Sequence, residues 1–276
     1  MAKTNDFVLR PFEGLPGEPD WVAFRELVPA ATATARTIKK YGAVDVVVAT
    51  MIPGGYSAIH REDGTIMLSL QGALASTDLS RDLAGALLEA IDAEPGTSIV
   101  GAQHPDGPRL QEVLDLKAPF TVTVHSDYEF AVDAGEKRDE DFEEALRDAA
   151  EGIIPTVRLS SVEHAYWCDM DKQFLRWVRE EDEDTVVNAI ARLHAKRESA
   201  IKMSDGEEAR FLGMFRAGGL VIPVWEFPAG TTADDVEQPV AELGKRLDAA
   251  LKVDAPLTYD ERRAKAGIIS RQVTLR

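Results

Sequence analysis

The chain has 276 residues, 45% of them hydrophobic, so it is long enough to form one large or two ordinary globular domains with a buried core. Its 48 acidic and 31 basic residues give a net charge of −17, which argues against nucleic acid and anionic membranes as default partners. A single cysteine, Cys168, excludes an intramolecular disulfide and a multi-cysteine zinc site. No stretch approaches the roughly 20 apolar residues of a membrane-spanning helix.

The N-terminal part predicts an irregular segment, a short helix and a buried strand. Pro11 to Pro19 is rich in proline and glycine, which is typical of irregular structure. Asp20 is the predicted N-cap of the helix, and Pro29 ends it because the residue before a proline avoids helical geometry. Residues 45–50 are rich in valine and predict a buried strand.

A pattern of two strands followed by a helix occurs three times, in residues 57–92, 164–196 and 210–251. Asp63-Gly64 and Gly218-Gly219 indicate tight hairpin turns, because these pairs accept positive φ. The helices have apolar residues three or four positions apart. The first and third hairpins also share the spacing of three residues, which are Arg61, Gly64 and Ile66 in one and Arg216, Gly219 and Val221 in the other. The pattern predicts an α+β fold with mainly antiparallel sheets, repeated strand-strand-helix units and two similar halves.

Residues 120–132 leave two interpretations open. Strands at 120–124 and 128–132 form either a hairpin about Ser126-Asp127 or one long strand. In the first case the amphipathic helix predicted over 141–151 would complete a fourth copy of the pattern.

Two turn-forming breaks, Glu94-Pro95-Gly96 and Asp106-Gly107-Pro108, mark the predicted internal boundary. It divides the chain into a first half, 1–106, and a second half, 107–276, with one continuous domain as the alternative.

The C-terminal region predicts one more helix and a strand. Thr258 and Glu261 match a capping box, which predicts a helix over 259–264 that Gly267 ends. Residues 272–275 alternate polar and apolar side chains and predict a strand.

Common catalytic and metal-binding motifs are absent from the sequence, which has no phosphate loop, nucleophile elbow, dinucleotide-binding glycine motif or HExxH motif. The five histidines are far apart, so we expect neither a metal nor a cofactor. The acidic run at 180–184 lacks the ligand spacing of a calcium loop and is expected to cap the helix that follows it. Cys168 is expected to be a small buried residue.

The second copy of the pattern contains the best candidate for a binding site. Tyr166 lies on one predicted strand, Arg176 and Trp177 lie on the next, and His164 is close in sequence. Because adjacent strand residues face opposite sides of a sheet, the aromatic residues of this hairpin cannot all be core residues. Tyr, Trp and Arg are also enriched at binding hot spots. The candidate binding residues are therefore Tyr166, Arg176, Trp177 and His164, and no catalytic residue is identified.

Several longer motifs resemble an uncharacterised actinobacterial family, the domain of unknown function DUF5926, over nearly the whole chain. The motifs that carry the resemblance are Arg10 to Glu18, Ala165 to Cys168, Leu175 to Val178, Pro223 to Trp225, Asp254 to Thr258 and Arg271 to Leu275. The resemblance implies no established reaction or site. A looser similarity of the strand-turn-strand pieces to SseB-like domains also implies no catalysis.

Members of the DUF5926 family often have an additional N-terminal SEC-C zinc motif, which would imply zinc-dependent partner binding. The present sequence has no cysteine before Cys168. Zinc-dependent binding of that kind is therefore not expected here.

The sequence leaves two functions open. We first expect a non-enzymatic cytoplasmic protein that binds a protein partner or a second copy of itself through an aromatic sheet surface; the first residues lack a secretory signal. The alternative is an enzyme or small-ligand-binding protein with a site between the halves, formed by His164, Arg176 and either Asp169 or Asp171. Neither nucleic acid nor a membrane is an expected partner.

Overall fold

The computed structural model describes residues 7–71, 77–101, 106–132 and 138–272, without the side chains of residues 141, 142, 271 and 272. Contacts between residues divide the chain into two compact units, Met1–Ile153 and Ile154–Arg276. None of the helices in these described ranges is long and apolar enough to cross a membrane.

The first unit contains one six-stranded sheet and four α-helices in its described part. In chain order the elements are α1 (Glu18–Glu26), β1 (Ala31–Arg36), β2 (Asp45–Ala49), β3 (Ala58–His60), β4 (Ile66–Ser69), α2 (Leu79–Asp92), β5 (Thr97–Ile99), α3 (Leu110–Val113), β6 (Val122–Val124) and α4 (Glu140–Glu151). The strand order is β5-β3-β4-β2-β1-β6. All neighbouring strands are antiparallel except β2 and β4, which are parallel.

The second unit has the same number of strands in a different arrangement. Its elements are β7 (Thr156–Arg158), β8 (Ala165–Asp169), β9 (Gln173–Trp177), α5 (Glu183–Ala195), β10 (Ile201–Lys202), β11 (Glu208–Ala217), β12 (Leu220–Glu226), α6 (Ala233–Leu251) and α7 (Tyr259–Gln272). The strand order is β10-β11-β12-β9-β8-β7, and all pairs are antiparallel. Alternate strand residues such as Trp167, Leu175 and Trp225 form one hydrophobic core with the apolar sides of α5 and α6.

The α+β class with mainly antiparallel sheets is confirmed. The three predicted hairpins are β3–β4, β8–β9 and β11–β12, and each leads into a helix, which is α2, α5 or α6. Gly218 and Gly219 have φ values of 52° and 81°, as a tight hairpin turn requires. The run at 180–184 caps α5 as expected, because the Asp182 side chain accepts a hydrogen bond from the Thr185 amide.

The two sheets do not share one topology. In each sheet the second strand of a hairpin lies beside an earlier strand, yet β4 is parallel to β2 whereas β12 is antiparallel to β9. The chain passes directly from β2 to the β3–β4 hairpin, but it passes from β9 through α5 and β10 before it reaches β11 and β12. The units therefore share hairpin-helix pieces and differ in how these pieces are connected.

Neither interpretation of residues 120–132 is correct, because the chain forms neither a hairpin about Ser126-Asp127 nor one long strand. Residues 122–124 form β6, which pairs with β1, and a 3-10 turn at Glu129–Ala131 follows in place of a return strand. The Asp127 carboxylate accepts a hydrogen bond from the Glu129 amide at 3.0 Å, so the aspartate starts a local turn. Because β6 belongs to the first sheet, the division between the units falls after Ile153, well beyond the predicted boundary at 106–107.

Two helix ends also differ from the prediction. Helix α1 starts at Glu18 after an N-cap at Gly17, and Asp20 lies buried inside the helix. Helix α7 has the predicted cap at Thr258 and Glu261 but continues through Gly267 to Gln272. The longer helix buries the Ile268 side chain. This burial can offset the glycine, which costs only about 1 kcal/mol inside a helix. Gln272 is thus helical, and the rest of the predicted strand, 273–275, lies outside the described residues.

Candidate functional site

Three of the four residues predicted to form a binding site, Tyr166, Arg176 and Trp177, lie on two faces of the second sheet. In the β8–β9 pair Tyr166 is directly opposite Arg176, whereas Trp177 is opposite Ala165. Since opposite residues share a face and neighbours along a strand do not, Trp177 faces away from Tyr166 and Arg176. His164 precedes β8 and lies with Trp177 in a cleft described below.

The aromatic side chains of this hairpin are buried. Tyr166 is 0% exposed and Trp177 is 2% exposed, so neither forms part of an exposed aromatic face. Alternation led to the expectation that these aromatic residues cannot all be core. Instead, residues on both faces of β8 are buried, and Tyr166, Arg176 and Trp177 do not share one surface.

Arg176 lies beside the thiol of Cys168 on its face of the sheet. Burial lowers the pKa of the Arg176 guanidinium, an effect that interaction with Cys168 partly offsets. Burial likewise raises the pKa of Cys168, so its thiol is neutral and unreactive. The Arg176 Nε and Nη2 atoms, which form the edge that binds carboxylates in bidentate pairs, are buried with no hydrogen-bond partner among the described residues.

His164 and Trp177 line a cleft of about 490 Å³ in the second unit. We call it the His164 cleft; its walls are the loop 161–164, the end of β9 with residues 178–181, and one side of α6. His164 has a left-handed backbone with φ of 60°. Its carbonyl oxygen accepts a hydrogen bond from Val178, and the carbonyl of Glu163 accepts one from the Trp177 indole at 2.9 Å. These two hydrogen bonds hold the loop against the end of β9.

Helix α6 comes close to this loop because residue 244 is glycine. A Cβ atom at Gly244 would lie 3.1 Å from Val162 and 3.4 Å from the Trp177 ring. Two turns earlier on α6, the Glu237 carboxylate accepts hydrogen bonds from the amides of Ser160 and Ser161, both at 2.8 Å. Burial opposes ionisation of Glu237, but the hydrogen bonds from Ser160 and Ser161 outweigh it and lower the pKa.

The His164 cleft is rich in carboxylates. Four acidic residues line it, namely Glu163, Glu180, Glu181 and Asp248, together with the basic Arg179 and Lys245. Both basic side chains have acidic partners, since Arg179 binds Glu181 and Lys245 lies 2.7 Å from Glu242. In the described part of the chain no group of His, Cys, Asp or Glu is arranged to hold a metal ion.

The first unit has a larger cavity, of about 680 Å³, with a mainly apolar lining. We call it the apolar cavity. Its floor is formed by Ile59 and Ser98, which are neighbours across β3 and β5, and by the loop 51–55. Gly54 and Gly55 in this loop have φ values of 84° and 74°. Because glycine has no side chain, only backbone atoms of these residues face the cavity, and they reduce its volume little.

A segment without strand pairing forms the side wall of the apolar cavity. Tyr128, Ala131 and Val132 line it, and the Arg61 guanidinium holds the segment by donating to the carbonyls of Phe130 and Val132 at 3.3 and 2.6 Å. Burial raises the pKa of Tyr128, so its hydroxyl is neutral near pH 7.

Helix α4 forms the remaining wall with Ala145, Leu146 and Ala149. These apolar residues are only partly buried or exposed, because this side of the helix meets open space. At the start of the helix, Arg138 lies 2.5 Å from Glu143 and 2.7 Å from Glu129. This double ion pair ties α4 to the 3-10 turn beside the cavity.

Reasoning from the sequence did not identify the apolar cavity. Two signals were present, namely the Pro53-Gly54-Gly55 loop and the apolar side of the predicted helix 141–151. Neither shows by itself that the loop and helix share a wall, because the residues between them in space come from distant parts of the chain.

Residues 11–276 match the family of unknown function DUF5926. The chain belongs to this family. No curated protein and no solved structure matches it. Arg10, which directly precedes the matched residues, forms a bidentate pair with Glu18 with distances of 2.6 and 3.0 Å, and this pair closes the irregular segment before α1.

Glycine and alanine at position 164 test the left-handed backbone of the His164 cleft. A Cβ atom costs about 1–2 kcal/mol in this region, whereas glycine costs roughly 0.5–1 kcal/mol through the flexibility of the unfolded chain. We therefore expect H164G to exceed H164A in free energy of unfolding by about 1 kcal/mol, measured with urea. At the neighbouring Glu163 the order should be reversed, and E163A should be more stable than E163G. A more stable H164A would contradict the left-handed conformation.

Methionine at position 176 tests whether the Arg176 charge is uncompensated. Methionine keeps the apolar stem and removes a buried charge, so we expect R176M to be as stable as the natural protein or up to about 2 kcal/mol more stable in urea. The control is R192M. Arg192 is also buried but donates to the carbonyl of Ala255 at 2.6 Å, so this change should cost about 1–3 kcal/mol. Equal losses in the two variants would reveal a strong partner of Arg176.

Proposed function

We propose that this protein binds a small apolar ligand in the apolar cavity of the first unit. The observation that supports this most is the cavity itself, which has a volume of about 680 Å³ and a mainly apolar lining with few polar groups. Ligand pockets in proteins typically have volumes of roughly 300–1,000 Å³ and the same character.

The packing of α4 supports the same proposal. An amphipathic helix is stabilised mainly by burying its apolar side against the rest of the protein. The described apolar residues of α4 that line the cavity, Ala145, Leu146 and Ala149, remain accessible. An apolar ligand would bury them, with a gain of about 25 cal/mol for each Å² of apolar surface removed from water.

The apolar cavity differs from the surface expected from the sequence. Binding through Tyr166 and Trp177 would require side chains that the fold buries almost completely. The apolar cavity needs no such rearrangement, and its lining belongs to one unit.

Thermal unfolding with neutral probes tests the proposal. We expect 1-octanol or indole at about 100 times its Kd to stabilise the protein by about 2.7 kcal/mol, which corresponds to roughly 5 to 10 °C in Tm. The A149W variant should lose this shift because the indole ring would occupy the cavity. The control D148W changes the adjacent residue of α4, which does not line the cavity. Equal shifts in both variants, or no shift in the natural protein, would refute the proposal.

Binding of a protein partner is a second candidate, favoured by the carboxylates of the His164 cleft. Glu163 has 89% of its side chain exposed, and Asp248 is also exposed. Because the aromatic side chains are buried, they cannot contact a partner, whereas these exposed carboxylates can. They are suited to a protein segment that carries lysine or arginine.

A labelled peptide of four Arg-Gly repeats tests the second candidate. We expect the E163Q/D248N variant to bind it about fivefold more weakly at low salt, because each exposed ion pair contributes about 0.2–1 kcal/mol. The E207Q/E208Q variant has the same charge change on exposed residues that do not line the cleft. Equal weakening in both variants, by fluorescence anisotropy, would show attraction to the net negative charge alone.

A further inference from the structure

Three polar side chains on one side of α5 line a cavity in the second unit. Thr185, Asn188 and Arg192 follow one another at spacings of three and four residues, which places them on the same side of a helix. The opposite wall comes from the chain between Leu251 and Leu257, at the end of α6 and in its connection to α7. The cavity has a volume of about 270 Å³, and we call it the Arg192 cavity. It shares no described lining residue with the apolar cavity or the His164 cleft.

Arg192 places a buried positive charge at the inner end of this cavity. The residue is 8% exposed, whereas Thr185 and Asp254, which also line the cavity, are exposed. A guanidinium has five N–H groups. One hydrogen bond joins that of Arg192 to the described residues, from Nη2 to the carbonyl of Ala255 at 2.6 Å. No carboxylate in the described part of the chain forms an ion pair with Arg192. Donors therefore remain for an anion, which would compensate the buried charge.

The acidic residue that interacts with Arg192 beyond the distance of an ion pair, Glu261 on α7, has its own partner. Its carboxylate accepts a hydrogen bond from the Thr258 amide at 2.7 Å. This hydrogen bond is the main reason why the pKa of Glu261 is lowered, and the charge of Arg192 adds to the effect. Glu261 does not line the Arg192 cavity.

Asn188 places a hydrogen-bond acceptor one turn before Arg192. Its Oδ1 atom is buried and has no hydrogen-bond partner among the described residues, which is an unfavourable state for a buried polar atom. A donor on a ligand would satisfy it. Side chains four residues apart on a helix start from Cβ atoms about 5–6 Å apart, so one small molecule can reach both Asn188 and Arg192. Asp254 is the one acidic residue among the described lining residues, and it favours a donor that carries positive charge.

The rest of the described lining is mainly apolar. Leu251, Val253, Pro256 and Leu257 belong to it. Part of this wall lies in the motif Asp254 to Thr258, one of those that carry the resemblance to the family. The cavity therefore combines a donor for a carboxylate, an acceptor for an ammonium group and an apolar wall.

We propose that the Arg192 cavity binds a free α-amino acid with an apolar side chain. The carboxylate accepts hydrogen bonds from Arg192, as guanidinium groups favour. The ammonium group donates to Asn188 Oδ1, and the side chain lies against Leu251 and Leu257. The volume of about 270 Å³ suits a molecule of this size, because it falls just below the range of roughly 300–1,000 Å³ typical of larger ligands. This site is independent of the apolar cavity and adds a second ligand to the chain.

Three probes with the carbon skeleton of leucine separate the two charged groups. They are L-leucine, 4-methylpentanoate, which lacks the ammonium group, and 3-methylbutylamine, which lacks the carboxylate. We expect leucine to bind about tenfold more tightly than either of the others in titration calorimetry at neutral pH, because each missing group leaves Asn188 or Arg192 without a charge-assisted hydrogen bond. The proposal is wrong if leucine does not bind, or if either of the other probes binds as tightly.

Two variants assign the preference to these side chains. N188L keeps the approximate size of the side chain and removes Oδ1, so the affinity for leucine should fall about tenfold while that for 4-methylpentanoate stays the same. R192Q should lose both carboxylates. The control R197Q has the same charge change on an exposed residue that does not line the cavity, and it should keep both.

Urea unfolding shows whether R192Q is folded, and N188L decides the question by itself if it is not. Leucine binding that neither N188L nor R192Q weakens would place the site elsewhere and contradict the proposal. Equal weakening in R192Q and R197Q would do the same, because it would show a response to net charge alone. None of these outcomes affects the test of the apolar cavity with neutral probes.

Discussion

The guanidinium of Arg61 holds the wall on which the apolar cavity depends. The segment 128–132 has no strand partner, because β6 ends at Val124 and a 3-10 turn follows. Two hydrogen bonds from Arg61 to the carbonyls of Phe130 and Val132 connect this segment to the β3–β4 hairpin. Hydrogen bonds from a charged donor contribute about 1.5–3 kcal/mol each. They replace the backbone pairing that a return strand would have supplied.

The loop at 53–55 explains why the space beside this wall stays open. Its two glycines adopt left-handed backbones, a conformation that most side chains resist. A Cβ atom at Gly54 would lie 2.6 Å from the Tyr56 ring, so a larger residue there would push Tyr56 out of its present place. Backbone of this loop therefore lies between the cavity and a small hydrophobic cluster that contains Ile52 and Met67. The apolar side of α4 faces the same cavity.

Local features of the fold could be predicted from the sequence, because a few adjacent residues determine them. The hairpin at Gly218-Gly219 and the cap at Thr258 and Glu261 are of this kind. The prediction of a hairpin at Ser126-Asp127 was wrong for a local reason as well. The Asp127 side chain accepts a hydrogen bond from the backbone amide two residues on and thereby forms a different turn. A pattern of turn residues does not distinguish these two uses of an aspartate.

The candidate sites could not be predicted in the same way, because burial and cavities depend on residues far apart in the sequence. The sequence grouped Tyr166 with Trp177 in one binding surface, whereas the strand register places them on opposite faces and packing buries both. For the apolar cavity, α4 and the β3–β4 turn lie about eighty residues apart in the chain. Their apolar and charged residues were visible in the sequence, but nothing in it indicates that they line one space.

Arg61 and Arg216 show why the repeated hairpins do not imply a repeated site. The two residues occupy corresponding positions, since each lies three residues before a glycine of the turn, Gly64 or Gly219. Arg61 is largely buried and binds backbone carbonyls, whereas Arg216 is exposed and pairs with Glu183 at the start of α5. An exposed ion pair contributes little to stability, so Arg216 joins two elements without enclosing a space. The hairpin supplies a scaffold with an arginine at a fixed place, and the partner of that arginine decides whether a cavity forms beside it.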